Sequence, residues 1–173
     1  MPPTDTNPLV LHWEVFVTPG LPIVTPDKPA NVRETYFQPM AATLIYGVRD
    51  AVLVDAFMTV TQANALADWV AARGKNLTTI YITHGHGDHW FGVGTLLKRF
   101  LNAKVVATRN AVKVMRQNAS PEALEGFGKR HSQARFPTGW SSLKSSKDMS
   151  SISKDMNWSP SNWATPTPTT RPV

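Results

Sequence analysis

The stretch TTIYITHGHGDHWFG, residues 78–92, decides how the rest of the chain is read. Its first five residues are β-branched or aromatic, the composition of a short buried strand. The strand runs into Thr83-His84-Gly85-His86-Gly87-Asp88-His89, in which three imidazoles and a carboxylate fall within six positions. In a segment leaving a strand, His84 and His86 can point the same way and converge on one cation, while Asp88 and His89 turn toward a second position close by. Gly85 and Gly87 are expected to let the backbone bend through positive φ. Neutral imidazole and carboxylate suit zinc, with iron and manganese also open. The competing reading is a polar surface loop with chance histidines. Four donors at this spacing, at the end of a buried strand and separated by glycines, weigh against it.

Working outward, ATLIYGVRDAVLVDA (residues 42–56) holds two apolar runs, 43–46 and 51–55, flanking the turn-like Gly47-Val48-Arg49-Asp50, and predicts a hairpin. Residues 11–17 predict a first strand, followed by a proline-rich loop carrying Pro19, Pro22, Pro26 and Pro29. Thr61 is placed to cap a helix through about Arg73, because Ala63, Leu66, Ala67 and Val70 repeat at helical spacing and Gly74 follows as a stop. Downstream, a helix is expected from Trp90 or Phe91 to Leu101, with Val93, Leu96, Leu97 and Phe100 inward and with Trp90 and Phe91 anchoring it in the core. Residues 104–107 read as a strand and 110–117 as a helix, and Ser120-Pro121-Glu122 opens a further helix. Strand alternating with helix predicts an α/β layered sheet.

Composition bounds the remaining choices. The chain has 173 residues, 42% of them hydrophobic, and no cysteine. That excludes disulfide frameworks, thiolate metal sites and cysteine nucleophiles. Any metal must be held by His, Asp, Glu or backbone oxygen. The net charge of +6 is unevenly spread: residues 1–125 carry 11 basic and 10 acidic side chains, whereas 126–173 carry seven basic and two acidic. Serine divides the chain at the same place, with one in 1–125 (Ser120) and ten beyond. The later segment has few Val, Ile or Leu residues with which to offset its ordering entropy. Residues 132–173 are therefore expected to be largely unstructured, and the chain divides into a partial domain, 1–126, and a serine-rich basic tail, 127–173. The tail's cations stand singly among serines, so a nucleic-acid partner is not expected. MPPTDTNPLV does not resemble a secretory signal, and no apolar run approaches the ~20 residues of a membrane span. A soluble cytoplasmic protein with no membrane partner is the expectation.

The chain resembles the metallo-β-lactamase superfamily, whose hallmark H-x-H-x-D-H stands here as His84-Gly85-His86-Gly87-Asp88-His89. AVLVDA (51–56) is similar to that family's strand ending in Asp, and Tyr81-Ile82-Thr83 to the strand leading into the motif. The resemblance runs from about residue 11 to about residue 125 and implies the N-terminal half of an αββα sandwich, with one sheet face lacking its partner. By the family pattern, His84 and His86 are ligands of one zinc, and Asp88 and His89 of a second. Asp55 is then a supporting residue near the site, though a carboxylate capping strand-end amides is an equal reading. A metal-dependent hydrolase follows, with Asp88 also orienting or deprotonating the nucleophile and a small-molecule ester, lactone, thioester, amide or phosphoester as substrate.

The same resemblance asks for further histidines and an Asp downstream. Only His131 is offered, in KRHSQARF at the start of the serine-rich segment, where it reads as a solvated residue rather than a ligand. Asp148 and Asp155 lie in SKDMS and SKDMN, without a strand around them. The expectation is an incomplete site with little activity, the change of composition near Gly126 being that of a frame-shifted or truncated chain. A non-catalytic metal-binding or interaction protein with a recruiting tail is the second reading.

Overall fold

The computed structural model describes residues 10–23 and 30–130; His131 and residues 132–173, on which the expected unstructured tail falls, lie outside them. Strand β1 (His12–Thr18) pairs antiparallel with β4 (Met40–Tyr46), which pairs antiparallel with β5 (Asp50–Val54). Strand β5 runs parallel to β6 (Asn76–Ile82), and β6 parallel to β7 (Lys104–Ala107), so the sheet order is β1-β4-β5-β6-β7. The expected hairpin and α/β alternation are both present. The two parallel connections are made through α1 (Val60–Ala71) and through α2 (Gly87–Trp90) with α3 (Val93–Arg99), as parallel pairing requires. Helices α4 (Arg109–Asn118) and α5 (Pro121–Arg130) follow β7.

Period-two patterning decides which face is covered. Met40, Ala42, Leu44 and Tyr46 alternate inward along β4, and with Leu53, Ile80 and Ile82 they join Leu66 and Val70 of α1, Val93 and Leu96 of α3 and Met115 of α4 in one buried cluster. Each such side chain contributes about 1.5–3 kcal/mol when fully buried. Trp90 and Phe91 are in the same cluster, as expected of anchors. On the opposite face Trp13, Val15 and Val17 of the edge strand β1 are exposed. Among the described residues no helix is long and apolar enough to cross a membrane.

Three local expectations are corrected. Helix α1 is capped by Thr59 rather than Thr61. The Gln62 amide N–H donates to Thr59 Oγ1 at 3.2 Å, and the Thr59 amide N–H donates to Gln62 Oε1 at 3.2 Å. This reciprocal pair satisfies two helix-end donors at once, which a lone Thr61 hydroxyl does not. The proline-rich loop also contains a second small sheet: β2 (Leu21–Ile23) pairs with β3 (Thr35–Phe37), and Pro22 is tolerated because a two-stranded ribbon has only edge strands. Finally, the single helix expected from Trp90 to Leu101 is two, divided at Gly92, and the first begins inside the histidine motif.

An ion pair ties β1 to the segment that follows α1. Glu14 accepts from Arg73 Nη2 at 2.6 Å and from the Tyr46 hydroxyl at 2.7 Å, while the Arg73 guanidinium lies 4.3 Å from the centre of the Trp69 ring. The Arg73 hydrogen bond first, then that of Tyr46, holds the Glu14 carboxyl below its usual range. A depressed carboxyl stabilises the fold above its unfolded pKa, about 4.3, and this contribution is lost as pH falls through the folded value. Replacing Glu14 by Gln is expected to cost up to about 1 kcal/mol at neutral pH, the range of partly exposed ion pairs. Urea unfolding at neutral and at strongly acidic pH checks it, because the two proteins should converge in acid.

Candidate metal centre

The site stands at the carboxyl ends of the parallel strands β5 and β6, where open α/β sheets place their ligand crevices. Val54 and Tyr81 are register partners, so the residues that follow them, Asp55 on one strand and Thr83 two positions on, leave the sheet side by side. After Val54 the chain turns through Asp55 and Phe57, both in the left-handed region at φ 66° and 61°. Such conformations cost of order 1 kcal/mol or more for residues with a Cβ. The segment is held by hydrogen bonds from the Asp55 N–H to Tyr81 O (2.9 Å), the Ala56 N–H to His89 O (2.8 Å) and the Gly92 N–H to Phe57 O (2.9 Å). The turn is thereby stitched to the helical segment that carries the motif.

Asp55 is buried, and its carboxylate meets three polar groups. Oδ1 accepts the Thr83 N–H at 2.9 Å, the Thr83 hydroxyl lies 3.0 and 2.9 Å from Oδ1 and Oδ2, and Oδ2 faces His89 Nδ1 at 2.8 Å. Of the two equal readings of Asp55, capping of strand-end amides and support of the histidine cluster, the geometry contains both. The His89 Nε2 lies 3.3 Å from Asp88 Oδ2. The His84 ring centre is 3.8 Å from that of His89 and 4.9 Å from that of His86. His84, His86, Asp88 and His89 are thus brought together, with His84 and His86 exposed, Asp88 buried and His89 half-buried. The arrangement differs from the expected loop in one respect: Asp88 and His89 lie on α2, with His86 at its N-cap position.

The two motif glycines serve space rather than positive φ. Among the described glycines only Gly74 has positive φ. A Cβ on Gly85 would stand 2.5 Å from Val114 Cβ and 2.6 Å from the backbone of Ala111 and Met115, and one on Gly87 would collide with the Phe91 ring. Gly85 is further fixed by its carbonyl, which accepts from the Trp90 indole N–H at 3.0 Å. The donor-bearing segment is therefore clamped between α4 and the Trp90 side chain.

Charge follows contact. Hydrogen bonds to Asp55 and then Asp88 outweigh burial and push His89 up to about 9. Burial, then the neighbouring His89 and His86, lowers His84. For Asp88, burial works upward, but hydrogen bonding and charge from His89 prevail and its pKa is lowered. Among the described residues no three such donors are already assembled around one point. The donor chemistry nevertheless fits a divalent cation. A tetrahedral ion with ligands at about 2.0–2.1 Å has ligand atoms roughly 3.3 Å apart, the separation found between His89 Nε2 and Asp88 Oδ2. The far nitrogen of His89 faces a carboxylate, the support that metal-bound imidazoles ordinarily have.

Sequence reasoning gives no separate role to Thr83, and it marks Trp90 only as a core anchor, without its hold on the Gly85 carbonyl. The signal for Thr83 was present: a hydroxyl residue directly before the first histidine, at the end of a strand parallel to one ending in Asp.

The chain is similar to several known proteins. The family described as the Metallo-beta-lactamase superfamily matches residues 37–149. The hydroxyacylglutathione hydrolase of Francisella tularensis subsp. tularensis (strain WY96-3418) is 39% identical over 64 residues, which are 37% of this chain and 24% of that protein. The chain thus spans about a quarter of the length of the curated relatives it matches. Among solved structures, the metallo-beta-lactamase SMB-1 in a complex with mercaptoacetic acid is 29% identical, with a TM-score of 0.40, over 48% of this chain and 33% of that one. The metallo-beta-lactamase FIM-1 from Pseudomonas aeruginosa in its mono-zinc form is 16% identical, with a TM-score of 0.43, over 62% and 42%.

Proposed function

The chain belongs to the metallo-beta-lactamase superfamily, and from that premise we propose that it is a metal-dependent hydrolase in which His84 and His86 hold one zinc ion and Asp88 and His89 hold a second. The observation that carries this reading is the His89 ring, with Nδ1 on Asp55 and Nε2 beside Asp88 Oδ2. When bound, zinc supplies a nucleophile at neutral pH and draws electron density from the oxygen of the bond under attack.

The chain's own residues do the remaining work. Asp88, buried and acceptor-only when ionised, orients the nucleophile and takes its proton at a carboxylate oxygen. Asp55 holds His89 with Nδ1 protonated, so Nε2 is the nitrogen left to bind. The exposure of His84 and His86 leaves the centre open to a small-molecule substrate. Among esters, lactones, thioesters, amides and phosphoesters, the hydroxyacylglutathione hydrolases that share up to 39% identity favour a thioester. Turnover by this chain is expected to be slow, because among the described residues no three metal donors are already assembled around one point.

The test combines elemental analysis of the purified full chain with assays on a glutathione thioester, a lactone and an ester. Zinc retention with thioester hydrolysis, both lost together in the His84→Ala, His86→Ala double variant, supports the proposal. Failure to retain zinc overturns it, and zinc retention with no hydrolysis of any substrate supports a non-catalytic metal-binding protein instead.

A further inference from the structure

We propose that Thr83 is a positioning residue: its hydroxyl fixes the ring tautomer of His84 and couples that ring to the carboxylate that orients His89. The inference rests on the metal-centre reading above and adds a residue to it. A threonine hydroxyl has one proton to donate and two lone pairs. Thr83 Oγ1 lies 3.0 and 2.9 Å from the two Asp55 carboxylate oxygens, which when ionised can only accept, so the hydroxyl proton is directed to Asp55. The same oxygen is 3.1 Å from His84 Nδ1. With its proton engaged, Oγ1 can only accept from that nitrogen, and His84 must carry its proton on Nδ1. Its Nε2 is then the lone-pair nitrogen. Asp55 Oδ2, 2.8 Å from His89 Nδ1, imposes the same tautomer on His89 directly.

One buried carboxylate therefore sets two imidazoles, one by contact and the other through a single hydroxyl. Thr83 is itself held in place by its backbone N–H on Asp55 Oδ1 at 2.9 Å, so the hydroxyl needs no separate anchor. The consequence for binding is that His84 and His89, whose ring centres are 3.8 Å apart, both present Nε2. In the absence of the Thr83 oxygen, His84 would divide its population between two tautomers, one of which cannot bind through Nε2.

The test uses the full chain in three versions: wild type, Thr83→Val, which removes the hydroxyl but keeps the branched shape, and Thr83→Ser, which restores it. Long-range nitrogen–proton NMR spectra of the metal-free, histidine-labelled protein read the His84 tautomer directly. Wild type and Thr83→Ser should carry the proton on Nδ1, and Thr83→Val should shift toward Nε2. Chelator competition should then show zinc affinity about 10–100-fold weaker in Thr83→Val, the usual effect of losing such a supporting contact, and restored in Thr83→Ser. A wild-type His84 protonated on Nε2 overturns the inference without any variant, as does a Thr83→Val protein with unchanged tautomer and affinity. If wild type binds no zinc while its His84 is held as Nδ1–H, the metal reading fails and the tautomer control stands, so the two failures are distinct.

Discussion

The Gly92→Ala chain is expected to lose its cooperative unfolding transition, or to be destabilised by roughly 3 kcal/mol or more, at the upper end of overpacking costs. Gly92 caps α3 in ordinary right-handed geometry, so alanine is not excluded by φ. It is excluded by space, since the added carbon would collide with the carbonyl oxygen of Ala56 and approach Ala63 Cβ to 2.9 Å. The first obstacle is backbone in the turn that also contains Asp55 and Phe57, and it cannot rotate away as a side chain would. That turn accepts the Gly92 N–H, so a shift large enough to admit the methyl also breaks a hydrogen bond. Gly126→Ala is the matched control. Among the described residues nothing lies within 4 Å of a Cβ at that position in α5, and the change should stabilise by about 0.5–1 kcal/mol through helix propensity. Circular dichroism melts of the three proteins read the contrast, and a Gly92→Ala melt indistinguishable from wild type would refute the close approach.

The Asp55→Asn chain is expected to keep its backbone but lose about 1–3 kcal/mol of stability and 10–100-fold in zinc affinity. Asparagine tolerates the left-handed φ of 66°. Its amide, however, brings an NH2 group to a place where the Thr83 N–H, the Thr83 hydroxyl and the His89 Nδ1 all require an acceptor. The variant also removes the largest cause of the raised His89 pKa. A histidine raised to about 9 contributes stability that is complete below its unfolded value, about 6.5, and is lost as pH rises through the folded value. Metal-free wild type should therefore weaken across that window, whereas Asp55→Asn should weaken less, because only the Asp88 contact then remains to hold the proton. Urea unfolding across this pH range, with chelator competition for zinc, measures both effects. Equal pH profiles in the two proteins would show that Asp55 does not hold the His89 proton.

Much of this architecture could be read before any coordinates. The run ending in Ile82, the hairpin around Gly47 and the inward residues of α1 and α3 were legible because burial imposes periods of two and 3.6 directly on the residue order. The grouping of His84, His86, Asp88 and His89 was legible because all four follow one strand. What escaped depends on partners distant in sequence. Gly85 and Gly92 are needed because Ala111, Val114 and Ala56 come close to them, and nothing in their immediate neighbours announces it. The division of the expected helix at Gly92 has the same origin, in the turn that follows β5. Thr59 and Thr61 both precede an apolar period, and only the Gln62 side chain reaching back to the Thr59 N–H distinguishes them. The β2–β3 ribbon escaped because prolines suppress the strand signal even where an edge strand tolerates them.

The clamp on Gly85 bears on how a cation would be received. Fixing one residue's backbone costs about 1–2 kcal/mol of conformational entropy. Between the Trp90 indole on its carbonyl and α4 against its Cα, this segment meets that cost during folding rather than at ligand capture. Ion capture is then left with side-chain ordering, dehydration and the release of the His89 proton as its main thermodynamic components. A cation taken up here would compete with a proton for a segment already ordered, with no disorder-to-order transition of the peptide around it.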